Sequence, residues 1–297
     1  MLWPKLRASE WVLIGFFAYI SAISPFFPER PNLGAQPFFI LCGVAALLFL
    51  MTYLQERLSS PERLSSEVIS VIRDFVPIGL TLIAFREMEF FLPNRYNFRF
   101  ETLWIGWDRL LLNRYHLRPL IECTGKLIPF GLEFSYLLVY GLPFYCLTVL
   151  YWQGRRRSCD RFLVIYLVGT LTAYALFPYF PSQPPRIAFP GLDLPGVTTV
   201  IRRFNLAILQ AATIHVGVFP SAHVSSAFSA AWGMFLVLPR RRVFGWALVF
   251  YAICVSVATI YGRYHYAADV LAGFVVSLIA AMLAGSRLLS TPAEPRP

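Results

Sequence analysis

The stretch VFGWALVFYAICVSVATIYG, at residues 243–262, has twenty consecutive positions without a charged side chain. About 20 apolar residues are enough for an α-helix to cross the hydrocarbon core of a bilayer. Three arginines, Arg240, Arg241 and Arg242, come directly before the stretch, and Arg263 comes directly after it. The sequence therefore predicts a membrane-spanning helix with positive charge at each end.

Apolar stretches of this kind recur along the chain. Of its 297 residues, 57% are hydrophobic and 14% are charged, and the mean hydropathy of +0.59 indicates an integral membrane protein. Eight segments are predicted to cross the bilayer, at residues 11–28, 36–55, 70–91, 128–152, 161–180, 222–239, 243–262 and 267–286. The predicted fold class is all-α, a polytopic bundle of about eight transmembrane helices. The third segment contains five charged side chains, which leaves an interfacial or re-entrant course as its alternative.

The basic residues predict the orientation of these helices. Two short connections contain arginine triplets, at residues 155–157 and 240–242, and such clusters mark the cytoplasmic side. With eight crossings, both termini are then cytoplasmic, whereas residues 181–220 and Arg263 are extracytoplasmic. Much of the net charge of +10 serves orientation and contacts with anionic lipid, so nucleic acid is not an expected partner. No small-x-small cleavage pattern follows the first segment, which favours an uncleaved helix.

Residues 219–223, Phe-Pro-Ser-Ala-His, have the pattern of a helix start. Proline favours the first turn, and Ser221 can cap free backbone N–H groups. Unpaired N–H groups and the helix dipole attract a phosphate group, and His223, a residue or two inside the helix, is placed to donate a proton there. A capped transmembrane helix with an interfacial histidine is the alternative explanation.

His265 and Asp269 are four residues apart and therefore share one face of a helix. A hydrogen bond from the imidazole to the carboxylate would fix the tautomer and make the other ring nitrogen a better nucleophile. A polar pair that packs a helix start is the alternative. Because one apolar hairpin separates His223 from His265, both histidines return to the same membrane face, where ionisable groups indicate a functional site.

Two arginines at that face, Arg186 and Arg263, are candidate phosphate ligands. The guanidinium group presents a fork of donors that matches phosphate oxygens, although snorkelling to the interface is the alternative fate of an arginine at a helix end. Arg202 and Arg203 are expected to contact lipid headgroups. Residues 93–127 alternate aromatic and basic residues, which is typical of interfacial helices and predicts a cover over the site.

Glu133, Tyr136 and Tyr140 lie at helical spacing within the fourth predicted segment. They are candidates for a pocket that binds a polyol headgroup. Polar side chains commonly bridge transmembrane helices, so a buried interhelical hydrogen bond is the alternative, and it is the interpretation that we favour.

Together these motifs resemble the three signatures of the type 2 phosphatidic acid phosphatase superfamily. The resemblance is carried by Pro-Pro-Arg at 184–186, Pro-Ser-Ala-His at 220–223 and His-Tyr-Ala-Ala-Asp-Val at 265–270. It implies a six-helix catalytic core at residues 66–290, which includes the interfacial segment. Residues 1–65 would add two N-terminal helices, and residues 291–297 would be a disordered tail.

Within that superfamily, residues 180–186 and 262–266 are most similar to the branch that contains inositol phosphorylceramide synthase and inositolphosphotransferase-like enzymes. Two cations of the phosphatase pattern are absent. Tyr179 stands where the phosphatases have lysine, and Ala258 and Thr259 stand where they have serine and arginine. Arg263 is a candidate substitute for one of these cations.

The resemblance implies a role for each candidate. His265 would attack phosphorus and form a phosphohistidine, Asp269 would orient it, and His223 would protonate the departing alcohol. Arg186, Arg263 and the helix start at Ser221 would stabilise charge on phosphate, and neither a metal nor a cofactor is expected.

The expected substrates are membrane lipids. A lipid phosphotransferase is the first hypothesis, a lipid or polyprenyl phosphate phosphatase is the alternative, and a non-catalytic lipid transporter or scaffold is the third.

Overall fold

The apolar stretches form helices because backbone N–H and C=O groups must be paired internally in hydrocarbon. A computed structural model describes residues 5–27, 29–30, 33–57, 63–212, 214 and 217–289. Within these residues all regular structure is helical, which confirms the all-α fold class. The tail predicted to be disordered lies outside the described residues.

Thirteen α-helices occur in this part of the chain. They are α1 (Ala8–Ile23), α2 (Gln36–Arg57), α3 (Arg63–Glu87), α4 (Arg99–Arg109), α5 (Leu117–Glu122), α6 (Leu127–Leu138), α7 (Leu142–Trp152), α8 (Cys159–Leu176), α9 (Pro185–Ala188), α10 (Val200–Ala212), α11 (Ala222–Val237), α12 (Arg242–Tyr261) and α13 (Ala267–Leu289).

Seven helical segments of the described chain are long and apolar enough to cross a membrane, so the protein is an integral membrane protein. One of them joins α6 and α7 through a short turn, as the prediction of a single span at 128–152 requires. The eighth predicted span corresponds to α11, which has 16 residues and is therefore about 24 Å long. It is shorter than a hydrocarbon core of about 30 Å.

The third predicted span is a long helix despite its charges. Residues Ser66–Phe91 satisfy the length and apolarity of a span. Two of its charged side chains are neutralised by α1: Arg73 Nη2 lies 2.6 Å from Glu10 Oε2, and Asp74 Oδ1 lies 2.7 Å from Arg7 Nη1. Ion pairing with the start of α1, where Arg7 is the N-cap, therefore neutralises two of the five charges that made the span ambiguous.

The helix α11 occupies the centre of the bundle, where it packs against α8, α12 and α13. Close approach depends on glycine at two positions. A Cβ atom at Gly169 of α8 would lie 1.9 Å from Ser229 Oγ, and one at Gly273 of α13 would lie 2.4 Å from the backbone oxygen of Ser221. These contacts bring the start of α11 against the start of α13.

The fifth span ends earlier than its predicted limit at residue 180. The helix α8 ends at Leu176, and turns follow it as far as Pro181. Residues that precede proline disfavour the helical conformation, so the chain leaves the bundle here. The connection that follows carries α9 and α10, and both contact the turn between α12 and α13: the backbone N–H of Arg186 donates to the backbone oxygen of Arg263, and Arg202 Nη1 donates to that of Gly262.

Candidate active site

The two motif histidines face each other. Ser221 caps α11 by accepting a hydrogen bond from the backbone N–H of Val224 at 3.4 Å, and His223 follows in the first turn. His265 lies in the turn that leads into α13. The distance between His223 Nδ1 and His265 Nε2 is 3.3 Å. The two histidines therefore lie side by side, as expected for residues at the two ends of one helical hairpin.

The surroundings of His265 determine which ring nitrogen carries its proton. His265 Nδ1 lies 3.0 Å from the carbonyl oxygen of Val218 and 3.3 Å from Asp269 Oδ2. A carbonyl oxygen can only accept, so Nδ1 must be the protonated nitrogen. The lone pair of the neutral ring is then on Nε2, on the side of His223.

Burial keeps this ring neutral. The pKa of His265 lies well below its ordinary value of 6.5, chiefly because burial disfavours the charged form. The charge of Arg186, and that of His223 when it is protonated, lower the pKa further, whereas the Val218 carbonyl opposes the shift. The lone pair on Nε2 lies at hydrogen-bond distance from His223 Nδ1, so the neutral ring can act as a nucleophile once a phosphate group separates the two histidines.

The carboxylate of Asp269 is held in place by the backbone. Its Oδ2 atom accepts a hydrogen bond from the N–H of Tyr266 at 2.8 Å. The backbone oxygen of Asp269 accepts another from the N–H of Ser221 at 2.9 Å. The starts of α11 and α13 are therefore tied together beside the histidines, and Ser221 lies fully buried at this junction.

Two of the candidate headgroup residues contact His223. Its Nε2 atom lies 3.4 Å from the hydroxyl group of Tyr140, and its ring stacks on Tyr136 with a centroid distance of 5.0 Å. Tyr136 in turn stacks on Tyr264 at 4.2 Å. This aromatic stack orients His223 and forms one wall of the site.

The third candidate, Glu133, is occupied by protein partners. Its carboxylate accepts hydrogen bonds from Arg202 at 2.7 Å, from Asn205 at 2.8 Å and from the hydroxyl group of Tyr264 at 2.7 Å. This geometry is that of the interhelical alternative. The expectation that Arg202 contacts lipid headgroups is wrong, because the side chain is buried in this ion pair; Arg203 is exposed.

Arg186 lies beside the histidines at the start of α9. Its guanidinium carbon is 5.7 Å from the centre of the Tyr264 ring, and its charge is one of the causes that lower the pKa of His265. In the described residues no carboxylate lies within ion-pair distance of it. A half-buried cation without an acidic partner is suited to bind an anion.

Arg263, the other candidate phosphate ligand, has an acidic partner. Its Nη1 atom lies 2.6 Å from Asp108 Oδ2, and both side chains are completely buried. Its Nε and Nη2 atoms have no hydrogen-bond partner among the described residues. Sequence reasoning missed Asp108. The available signal was the pair of acids, Glu101 and Asp108, seven residues apart in a mostly basic segment.

A cavity of about 450 Å³ opens onto the site. It lies between α3, α7, α8 and α10, and it reaches His223 and Tyr140. The rest of its wall is largely apolar and includes Phe85, Phe144 and Leu209. A hydrocarbon chain fits such a wall because burial of apolar surface is favourable.

Metal ligands are not clustered in the described part of the chain. It contains no group of three or more histidine, cysteine, aspartate and glutamate side chains that could hold a metal ion.

The fold and the site together define a helical membrane protein with paired histidines beside an unpaired arginine. The family described as the PAP2 superfamily matches residues 105–283, more than half of the chain, and the protein belongs to this superfamily. The matched region contains His223, His265 and Asp269.

A PA-phosphatase related-family protein of Dictyostelium discoideum is 27% identical over 140 residues. The aligned region covers 45% of this chain and 24% of that protein, so the chain spans about a quarter of its relative. No solved structure matches the chain.

Proposed function

We propose that the protein is a lipid phosphotransferase that transfers a phosphate-linked headgroup through a phosphohistidine at His265. The observation that carries the proposal is the geometry of His265, whose Nδ1 atom faces the accepting Val218 carbonyl and whose Nε2 atom faces His223 at 3.3 Å beside a largely apolar cavity. A lipid whose chain occupies the cavity would present its phosphate to this histidine pair.

Each half of the reaction moves one group and one proton. In the first half, His265 Nε2 attacks phosphorus and the bond from phosphorus to the lipid oxygen breaks. His223 gives a proton to the departing alcohol; burial lowers the pKa of this histidine to about 4, so the bound phosphate anion has to offset that shift for His223 to carry the proton. In the second half, an acceptor hydroxyl gives its proton to His223 while its oxygen attacks phosphorus and the phosphorus–nitrogen bond breaks. The enzyme then returns to its starting state without a metal.

Charge on the phosphate is stabilised from two directions. Arg186 supplies a guanidinium without an acidic partner, and the first turn of α11 after Ser221 supplies backbone N–H groups and the positive end of the helix dipole. Arg263 remains a predicted phosphate ligand through its unpartnered Nε and Nη2 atoms. Preorganised donors of this kind lower the barrier because they are in place before charge develops.

A lipid hydroxyl is the acceptor that the cavity favours. An acceptor that His223 activates must lie beside this residue, where the wall of the cavity is largely apolar. The likeness of residues 180–186 and 262–266 to the inositol phosphorylceramide synthase branch also supports headgroup transfer. Tyr136 and Tyr140 would contact the headgroup, whereas Glu133 would support them through Tyr264.

Hydrolysis of a lipid phosphate is the second candidate. It is favoured by membership of the PAP2 superfamily and by the name of the Dictyostelium relative. The chemistry differs only in the acceptor, which would be water.

We further propose that the site faces the extracytoplasmic side, since the arginine triplets at 155–157 and 240–242 are expected in the cytoplasm.

The test uses purified protein, phosphatidylinositol labelled in its phosphate, and ceramide or diacylglycerol as acceptor. We expect label on His265, and then on the second lipid. The matched variants are His265→Asn, His223→Asn and His116→Asn; His116 is exposed and has a φ of 56°, which asparagine tolerates.

The variants at 265 and 223 should abolish transfer, and the variant at 116 should retain it. Release of inorganic phosphate without an acceptor would favour the phosphatase. Wild-type behaviour of both site variants would favour a transporter or scaffold, and label on His223 would overturn the assignment of roles.

A further inference from the structure

One face of α4 contacts all three segments that build the site. The residues buried on this helix are Glu101, Trp104, Ile105 and Asp108. Their spacing of three, four and seven residues places them on a single face. The three site segments are residues 180–186, 219–223 and 263–269, and they are distant from one another in the sequence.

Glu101 binds the first of these segments. Its Oε1 atom accepts a hydrogen bond from the backbone N–H of Gln183 at 3.3 Å. Gln183 lies three residues before Arg186. The carboxylate therefore anchors the loop that presents the unpaired guanidinium.

Trp104 joins the second and third segments. Its ring stacks on Phe219 with a centroid distance of 5.0 Å and an interplanar angle of 15°. It also packs against Tyr266 with a centroid distance of 5.6 Å. Phe219 precedes the start of α11, and Tyr266 follows His265 directly, so one ring contacts the neighbours of both histidines.

Asp108 holds the third segment at two points. Its Oδ1 atom accepts a hydrogen bond from the backbone N–H of Ala267 at 2.8 Å, and its Oδ2 atom accepts one from Arg263 Nη1 at 2.6 Å. These two partners lie on either side of His265. The carboxylate therefore constrains the turn that carries the nucleophile.

The cost of burial indicates that these acids have a role beyond packing. Glu101 is 1% exposed and Asp108 is fully buried. Replacement of a buried ion pair by well-packed apolar residues is often neutral or stabilising. Apolar residues on this face would cover the site equally well, but they could not bind backbone N–H groups of two loops.

We infer that Glu101, Trp104 and Asp108 are positioning residues, which hold the arginine loop, the start of α11 and the nucleophile turn in register. The inference rests on the proposed function for its effect on catalysis. The contacts themselves exist whether or not the protein transfers phosphate.

The test compares Glu101→Met, which removes the acceptor for the Gln183 N–H, and Asp108→Asn, which breaks the pair with Arg263, with Leu103→Ala, a matched control on the exposed face of α4. Because a misplacement of about 1 Å can cost about 100-fold in rate, we expect kcat to fall about 10-fold for Glu101→Met and about 100-fold for Asp108→Asn. The KM for lipid should not change, since the cavity lies on other helices. The control should behave as wild type.

Two further measurements separate positioning from folding. The thermal unfolding midpoint in detergent reports overall stability, and modification of histidines by diethylpyrocarbonate, read by mass spectrometry, reports local geometry with exposed His116 as the internal reference. A loosened nucleophile turn should raise the modification rate of His265 at least 10-fold in Asp108→Asn, without the same rise at His223. Glu101→Met leaves no buried cation unpaired and serves if Asp108→Asn does not fold.

Several outcomes would overturn the inference. Unchanged kcat and unchanged His265 modification in both variants would do so. A fall in kcat that matches only the loss of folded protein, with equal rises at both histidines, would indicate a structural role. If the wild type transfers no phosphate at all, the proposed function fails, and the modification of His265 still decides the positioning role.

Discussion

Replacement of Asp269 by asparagine tests how the nucleophile is oriented. In a Ser-His-Asp triad the same change costs about 10⁴ in kcat, because the histidine adopts the wrong tautomer. Here His265 Nδ1 also lies 3.0 Å from the Val218 carbonyl, which can only accept a hydrogen bond. The correct tautomer should therefore survive in Asp269→Asn, and the variant should lose much less activity than a triad does.

The expected loss follows from the contacts of the carboxylate. The amide oxygen can still accept the hydrogen bond from Tyr266, which is 2.8 Å long in the wild type. His265 Nδ1 faces the same Oδ2 atom, so the amide oxygen can keep this contact as well. The loss is then the difference between a hydrogen bond to a charged group and an ordinary one, about 1–1.5 kcal/mol. Since 1.36 kcal/mol is tenfold in rate, we expect phosphohistidine formation to slow about 5- to 12-fold.

The assay is single-turnover labelling of His265 with a labelled phospholipid, with His265→Asn as the blank. Asp269→Ala is the comparison variant, because it also removes the acceptor for the Tyr266 N–H and should lose more activity than Asp269→Asn. Thermal unfolding of each protein shows whether a loss is due to folding.

Two results would refute this reasoning. A loss near 10⁴-fold in Asp269→Asn would mean that Asp269 alone selects the tautomer and that the Val218 carbonyl does not. A loss under about twofold, less than the weakest ordinary hydrogen bond contributes, would mean that the carboxylate does not support the nucleophile.

Three further predictions concern pH, packing and the buried ion pair. Because the pKa of His265 is lowered from 6.5, we expect the acid limb of kcat/KM with a phosphodiester donor to lie below pH 6.5, and a limb at or above 6.5 would contradict this. The free energy of unfolding should also fall below pH 6.5, since the unfolded state binds the proton first. Gly273→Ala should destabilise the protein by about 1–3 kcal/mol and reduce activity, because the added Cβ atom would overlap the backbone oxygen of Ser221. The control is Gly285→Ala, whose Cβ atom would meet nothing within 4 Å. Equal unfolding midpoints of the two variants would be evidence against this packing. Glu133→Gln should lower the free energy of unfolding by about 3–5 kcal/mol, because it leaves the charge of Arg202 uncompensated. Lost activity at unchanged stability would instead favour direct contact of Glu133 with the lipid headgroup.

Most of the long apolar helices could be predicted from the sequence. The length and apolarity of each segment are local properties, so the spans at 36–55, 243–262 and 267–286 agree closely with α2, α12 and α13. The motif at 219–223 likewise predicted a capped helix start, and Ser221 is the cap. The charged third span was ambiguous because its neutralising partners, Arg7 and Glu10, lie on another helix.

The candidate site was predictable only in part. Two predicted spans separate His223 from His265, and this even number of crossings was enough to predict that both histidines lie at one membrane face. The partner of Arg263 was not predictable, since Asp108 is 155 residues away and spacing carries no information at that distance. The burial of Arg202 against Glu133 was missed for the same reason.

The sequence by itself determined that apolar helices cross a membrane and that two histidines, a carboxylate and an arginine converge at their ends. Only the tertiary structure decided which groups remain free to react. Arg263 pairs with Asp108, Arg202 pairs with Glu133, and Arg186 keeps its charge beside the histidines. It also decided the reactive nitrogen of His265, because the accepting carbonyl of Val218 belongs to a loop that reaches Nδ1 only in the folded chain.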